Sequence, residues 1–160
     1  MQATQSLDES LPYRSVKQLL SGRPVAVYSA APADTALAAL KSMAEHRTGF
    51  LVVLQGEQLV GVISERDYSR KMVMTGRTAQ DTLVSDIMTR EVVTATPAHR
   101  FGEVIQLMNT HGIRHLPVVE GGRVVAVLSV RDLLREAVAH HEKVIRAMEM
   151  ERMTIFNSAA

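Results

Sequence analysis

The chain contains no cysteine and no tryptophan, and only 4% of its 160 residues are aromatic. Without cysteine there is no disulfide scaffold, no thiolate zinc site and no cysteine nucleophile, and such a composition fits a reducing cytoplasm. So few flat side chains leave no stacking platform for a nucleic-acid strand, and a formal net charge of +1 gives no broad cationic footprint for a phosphate backbone. Long hydrophobic runs are missing as well. The longest are about five residues, as in Phe50-Leu51-Val52-Val53-Leu54, far short of the ~20 apolar residues of a membrane helix. Met1 to Ser10 is polar, carries Asp8 and Glu9 and lacks a basic-then-apolar order, so no signal peptide is expected. What is present, 46% hydrophobic and 22% charged residues, suits a soluble chain with a proper core.

The sequence repeats itself. Sliding it by 65 residues lays Pro32–Arg70 on Pro97–Arg135 without a gap, and 13 of the 39 positions are identical. Unrelated sequence would give roughly two or three matches. Among the identical pairs are Pro32/Pro97, Met43/Met108, His46/His111, Gly56/Gly121, Ser64/Ser129, Arg66/Arg131 and Asp67/Asp132. The fold must therefore be read as one unit used twice.

Each unit has the same order of periodicities. A β-branched run opens it (Val25–Tyr28; Val92–Thr94), then a proline-marked turn and a helical stripe: Leu37, Leu40, Met43 and Ala44 in the first unit, Phe101, Val104, Ile105 and Met108 in the second. Two apolar runs split by a glycine-containing turn follow, and they read as hairpins around Gln55-Gly56-Glu57 and Glu120-Gly121-Gly122. A second helix starts at Ser64 and at Ser129. The expected fold class is α+β: two β-α-β-β-α units packed as one pseudo-twofold module, with a C-terminal helical extension. The expected boundaries are a flexible arm at 1–12, a first repeat at 13–75, a linker at 76–83, a second repeat at 84–138, and a terminal helix and tail at 139–160. Similar lead-ins, Val16–Leu20 and Val84–Met88, precede the two units. The helical pattern beyond Asp132 runs through Leu133, Leu134, Ala137, Val138, His141, Ile145 and Met148 to about Met153 without glycine or proline. An apolar stripe that outlasts the repeat needs a partner surface, and self-association is the commonest answer.

The units close in Gly61-Val-Ile-Ser-Glu-Arg-Asp67 and Ala126-Val-Leu-Ser-Val-Arg-Asp132. On local physics, Ser64-x-x-Asp67 and Ser129-x-x-Asp132 are capping boxes, in which serine and acid satisfy each other's amides. The same place can also serve a nucleotide. A strand-to-helix turn presents amides that suit a phosphate, and a carboxylate can accept from both hydroxyls of a ribose.

These closing motifs, with Ile87-Met88-Thr89 and Ile113-Arg114-His115-Leu116-Pro117-Val118-Val119, are similar to the signature stretches of CBS domains, the cystathionine β-synthase type regulatory repeats. The resemblance covers about residues 13–138 and is to a standalone pair of such domains. It implies binding of an adenosine-containing ligand (AMP, ADP or ATP, with NAD and S-adenosylmethionine in the same class) between the units, and assembly as a homodimer. By resemblance, Asp67 and Asp132 hold ribose, Ser64 and Ser129 lie near ribose or phosphate, and Val62 and Val127 wall the adenine. Ser21 and Thr89 of the lead-ins, with Thr48, Gly49 and Ile113 at the strand starts, match positions that line the family's clefts. Arg114 and His115 match basic positions used for phosphate, and Arg66, Lys71 and Arg131 stand beside the two motifs as further cations. The first unit has Gly49-Phe50 in place of Arg114-His115, so its own cleft is expected either to suit a polyphosphate less well or to draw positive charge from Arg66 and Lys71.

No metal is expected. His111 and His115 are four apart, but Gly112 and the following strand break any helix that would align them. His140-His141 reads as an interface or solvated pair, and Met148, Met150 and Met153 as adaptable packing. An enzyme is disfavoured, because no P-loop and no His/carboxylate/Ser constellation at recognisable spacing is present. The readings carried forward are a regulatory module that senses an adenine nucleotide and signals to an unidentified downstream protein, and a structural dimer with vestigial clefts.

Overall fold

The computed structural model describes residues 14–21 and 26–158. The N-terminal arm, Val25 and the side chain of Met153 lie outside the described residues. The element order is α1 (Val16–Leu20), β1 (Ser29–Ala30), α2 (Ala36–Glu45), β2 (Phe50–Gln55), β3 (Gln58–Ser64), α3 (Glu65–Lys71), a 3-10 turn (Val73–Thr75), α4 (Val84–Ile87), α5 (Phe101–His111), β4 (His115–Glu120), β5 (Arg123–Ser129) and α6 (Val130–Ser158). The chain is thus mixed α+β, with two copies of one small sheet-and-helix unit.

The hairpins form where glycine permits it. Gly56 (φ 62°), and Gly121 and Gly122 (φ 58° and 81°), supply the left-handed turn conformations that a two-residue hairpin loop demands. Register is duplicated down to an irregularity. Val53 pairs with Gly61 and Leu54 with Leu59, which leaves Val60 as the extra residue of a bulge; Val118 pairs with Ala126 and Val119 with Val124, leaving Val125.

The opening strands differ from expectation. Pairing begins only at Ser29–Ala30, parallel to Val52–Val53, and in the second unit it shrinks to a single bridge between Ala95 and Val118. Val92–Thr94 forms no ladder. A β-branched run reports extended backbone; it does not report whether a neighbour exists to bond it. The stripe of α2 is also shifted. Ala36, Ala39 and Met43 are its buried positions, Leu40 packs against them, and Ala44 faces solvent. In α5, Phe101, Val104 and Met108 are buried as expected, whereas Ile105 is exposed.

The lead-in helices cross over. The N-terminal α1, capped by Ser15 and Gln18 in a reciprocal box, inserts Val16 and Leu19 into the second unit's core with Phe101, Val104 and Leu116. Conversely α4 inserts Val84, Ile87 and Met88 into the first unit's core with Ala36, Met43 and Leu51. The anchoring bonds correspond one to one. Val16 N donates to His99 O (2.8 Å) and Lys17 N to Pro97 O (2.9 Å); Val84 N donates to Asp34 O (2.8 Å) and Ser85 N to Pro32 O (3.0 Å). His99 and Asp34, like Pro97 and Pro32, are 65 apart. The linker is fixed by the same exchange, since Thr82 O accepts from Ala36 N at 2.8 Å.

The closing helix α6 spans 29 residues, roughly 44 Å. Leu133 and Glu136 are buried against the body, with Glu136 3.6 Å from Arg14. Val130, Leu134, Val138, Ile145 and Met148 remain exposed. No helix among the described residues is long and apolar enough to cross a membrane.

The exchange makes each unit's stability depend on the other's lead-in. Leu19→Ala removes a buried side chain from the second unit only, and should cost about 2–5 kcal/mol. Tyr28 and Tyr68 pack against the first unit's core. In a Tyr13→Phe background, tyrosine fluorescence and far-UV circular dichroism should nevertheless move together to one lower urea midpoint. Two separated transitions would show that the units fold independently.

Candidate ligand clefts

Two clefts open between the units, of about 410 Å³ and 530 Å³. Both lie within the ~300–1,000 Å³ typical of small-molecule sites. The smaller is built on Asp67, and the exchange is what completes it. Thr89, just past α4, pairs with Val62 of β3 through Val62 N to Thr89 O (2.9 Å) and Thr89 N to Val62 O (2.8 Å). Gly61 permits this approach, for a Cβ there would stand 2.7 Å from Met88 Sδ and 3.0 Å from Thr89 O.

Asp67 accepts from every side. Its Oδ2 takes Ser64 N (3.0 Å) and Ser64 Oγ (2.7 Å), while its own amide donates to Ser64 Oγ at 3.3 Å, completing the capping box. Its Oδ1 takes Thr89 Oγ1 (3.1 Å) and Lys71 Nζ (2.9 Å). Burial alone would raise the Asp67 pKa, but the hydrogen bonds from Ser64, Lys71 and Thr89 and the Lys71 charge outweigh it and hold the carboxyl below its ordinary value. The larger cleft is built on Asp132 in the same way. Oδ2 accepts from Ser129 N (2.9 Å) and Ser129 Oγ (2.5 Å), and Arg135 Nη1 stands 3.7 Å from Oδ1.

Most of the residues singled out by sequence converge on these clefts. The Asp67 cleft brings together Val62, Ser64, Arg66, Asp67, Thr89 and Ile113. The Asp132 cleft gathers Thr48, Val127, Ser129, Arg131 and Asp132. Gly49, Arg114 and His115 line both. Two residues fall elsewhere. Ser21 caps the end of α1, its Oγ donating to Gln18 O at 2.8 Å, and it lines neither cleft. Lys71 turns its ammonium to Ile87 O (2.7 Å) and Met88 O (3.3 Å) as well as to Asp67, so it clamps the lead-in and lines neither cleft. The expected division of charge also changes. Because strand starts cross between units, Arg114 reaches the Asp67 cleft, where Arg66 and Arg70 supply the neighbouring cations.

Several lining residues had no signal in one unit read alone: Phe50, Glu65, Tyr28 and Arg47. The 65-residue offset marks some of them, since it sets Phe50 on His115, Gly49 on Arg114 and Glu65 on Val130. Phe50 and His115 stack across the pseudo-twofold relation, with ring centroids 4.7 Å apart and planes 14° apart. Glu65 lies against Gly49, where any Cβ would come within 2.9 Å of its Oε2. Arg47 holds a left-handed conformation (φ 51°) at the position where the second unit has Gly112 (φ 61°). Burial pushes the His115 pKa down; the Asp132 charge raises it, and Arg114 and Arg131 add to the lowering. No group of three or more His, Asp or Glu side chains among the described residues is placed to hold a metal ion.

Two similar sheet-and-helix units with exchanged lead-ins and a Ser-x-x-Asp motif on each of two inter-unit clefts define a tandem repeat pair. The CBS domain profile matches residues 16–73 and 84–139, and the chain belongs to the CBS-domain family. It is similar to the CBS domain-containing protein CBSX3 of Arabidopsis thaliana, with 40% identity over 128 residues, 77% of this chain and 60% of that protein. The chain therefore spans about 60% of that relative's length. A CBS-domain protein from Burkholderia ambifaria superposes with a TM-score of 0.76 at 36% identity, over 79% of this chain and 95% of that one. PAE2072 of Pyrobaculum aerophilum, solved in complex with AMP, gives a TM-score of 0.67 at 26% identity over 78% and 99% of the chains. The CBS domain pair of MJ0100, solved with 5′-methylthioadenosine and S-adenosylmethionine, gives 0.67 at 27% identity over 78% and 95%.

The two lowered pKa values act on stability with one sign. A group that protonates more readily in the unfolded chain removes stability on acidification. His115 supports the fold above its ordinary 6.5 and loses that contribution as pH falls below it, with Asp67 following below about 3.8. His115→Gln should flatten the fall in Tm between about pH 7.5 and 5.5. An equal fall in variant and parent would assign the effect to another group.

Proposed function

We propose that the chain is a non-catalytic regulatory module that binds an adenine nucleotide in its inter-unit clefts and passes occupancy to a downstream protein. AMP, ADP and ATP are the first ligands of this class, and NAD and S-adenosylmethionine share the adenosine part. The observation that carries the reading is the pairing, in each cleft, of a carboxylate able to accept from a ribose diol with arginines on the neighbouring wall: Asp67 with Arg66, Arg70 and Arg114, and Asp132 with Arg114 and Arg131. The AMP and S-adenosylmethionine complexes of structural relatives support the ligand class. The apolar stripe of α6 supports a homodimer, with Leu134, Val138, Ile145 and Met148 exposed at helical spacing. The absence of cysteine fits a cytoplasmic setting.

A second reading, a structural dimer with vestigial clefts, draws on one observation. Both oxygens of Asp67 already accept from Ser64, Thr89 and Lys71, so a ribose must share or displace these partners.

Thermal unfolding with each of the five ligands separates the two readings. Ligand at one hundred times its Kd adds about 2.7 kcal/mol, a Tm rise of roughly 5–10 °C for a chain of this size. Asp67→Asn and Asp132→Asn, which keep side-chain volume and an acceptor, should each remove part of that rise. No rise with any ligand sinks the sensing reading, and an undiminished rise in both variants leaves the motifs as capping boxes.

A further inference from the structure

The two clefts have a wall in common. Gly49, Phe50, Glu65, Arg114 and His115 line both. Resting on the nucleotide-binding reading above, we infer that the clefts compete for this wall. A phosphate-bearing ligand in one cleft takes Arg114 and weakens binding of a second such ligand in the other.

The charges of the shared wall carry the inference. Among the five residues Arg114 is the fixed cation and Glu65 the fixed anion, so the wall is close to neutral before any ligand enters. An arginine guanidinium grips phosphate as a planar fork, with two parallel N–H donors on one group. A single side chain cannot direct that fork into two clefts at once. Once Arg114 is engaged, the second cleft keeps Glu65 on its wall without the compensating charge. Gly49 leaves Glu65 no side chain to hide behind, and it sits where the second unit has the uncharged Val130. The private cations remain, Arg66 and Arg70 on one side and Arg47 and Arg131 on the other, so the second step is weakened and not abolished. The pseudo-twofold relation brings the two clefts together, and departures from it, Gly49 against Arg114 and Glu65 against Val130, give them one cation to share.

Calorimetric titration of the full chain with AMP, with ATP in a parallel series and native mass spectrometry to count ligands, tests this. Two steps with Kd values at least about tenfold apart are expected, within the ~5–150-fold range of site couplings. In Arg114→Gln the first step should weaken about tenfold or more and the two values should close to within about threefold. Where Arg114→Gln binds too weakly to resolve, Glu65→Gln decides, because removing the shared anion should strengthen the second step and narrow the gap. Two equal steps in the parent overturn the competition while leaving nucleotide binding intact. A gap that persists unchanged in the resolved variant also overturns it. No binding of either nucleotide removes the underlying reading and the competition with it.

Discussion

Each lead-in helix spends its apolar face on the core of the other unit, and the remaining architecture depends on that exchange. A single unit of this kind, about 55 residues, would bury too small a fraction of its surface to be more than marginal. Val16 and Leu19 in one direction, Val84 and Ile87 in the other, complete two cores that neither unit closes alone. The pairing also sets the clefts. Thr89 reaches Asp67 only because α4 is anchored on Asp34 and Pro32 of the first unit. Lys71 closes the arrangement by tying the α4 carbonyls to the Asp67 carboxylate, and with Ser64 and Thr89 it holds that acid below its ordinary pKa.

What the sequence made legible was local or repeated. The hairpins were readable because glycine at φ near +60° is a requirement of the turn itself, and the capping boxes because serine and aspartate three residues apart satisfy each other without outside help. Identical pairs at a 65-residue offset fixed the repeat. The exchange of lead-ins was not readable, because two similar amphipathic turns suit two similar cores and nothing in their composition says which. The opening strands are shorter than the sequence implies for a related reason. Val92–Thr94 is β-branched and extended, yet only Ala95 meets a partner. Lys71 stands beside Asp67 as its spacing implies, but sequence does not tell whether such a cation faces a ligand or, as here, the carbonyls of Ile87 and Met88.

Duplication copies a fold faithfully, and the informative positions are those where the copies part. Arg47 occupies a left-handed conformation that its counterpart Gly112 adopts without strain. The Arg47 side chain stands on the wall of the Asp132 cleft. Phe50 and His115 are unlike residues at equivalent positions, yet they stack on one another. That contact joins the two strand starts directly.

The two clefts also differ in the helix that each Ser-x-x-Asp motif begins. Ser129 and Asp132 are at once the floor of a cleft and the first turn of α6, whose far side carries the exposed apolar stripe. Asp132 thus stands at the start of a helix roughly 44 Å long. The first unit has no such helix, because α3 stops after seven residues and turns into the linker. The two clefts, alike in their motifs, therefore stand on unlike elements: under the nucleotide-binding and dimer proposals, occupancy of the Asp132 cleft would bear on the exposed stripe of α6, and occupancy of the Asp67 cleft on the exchanged lead-in.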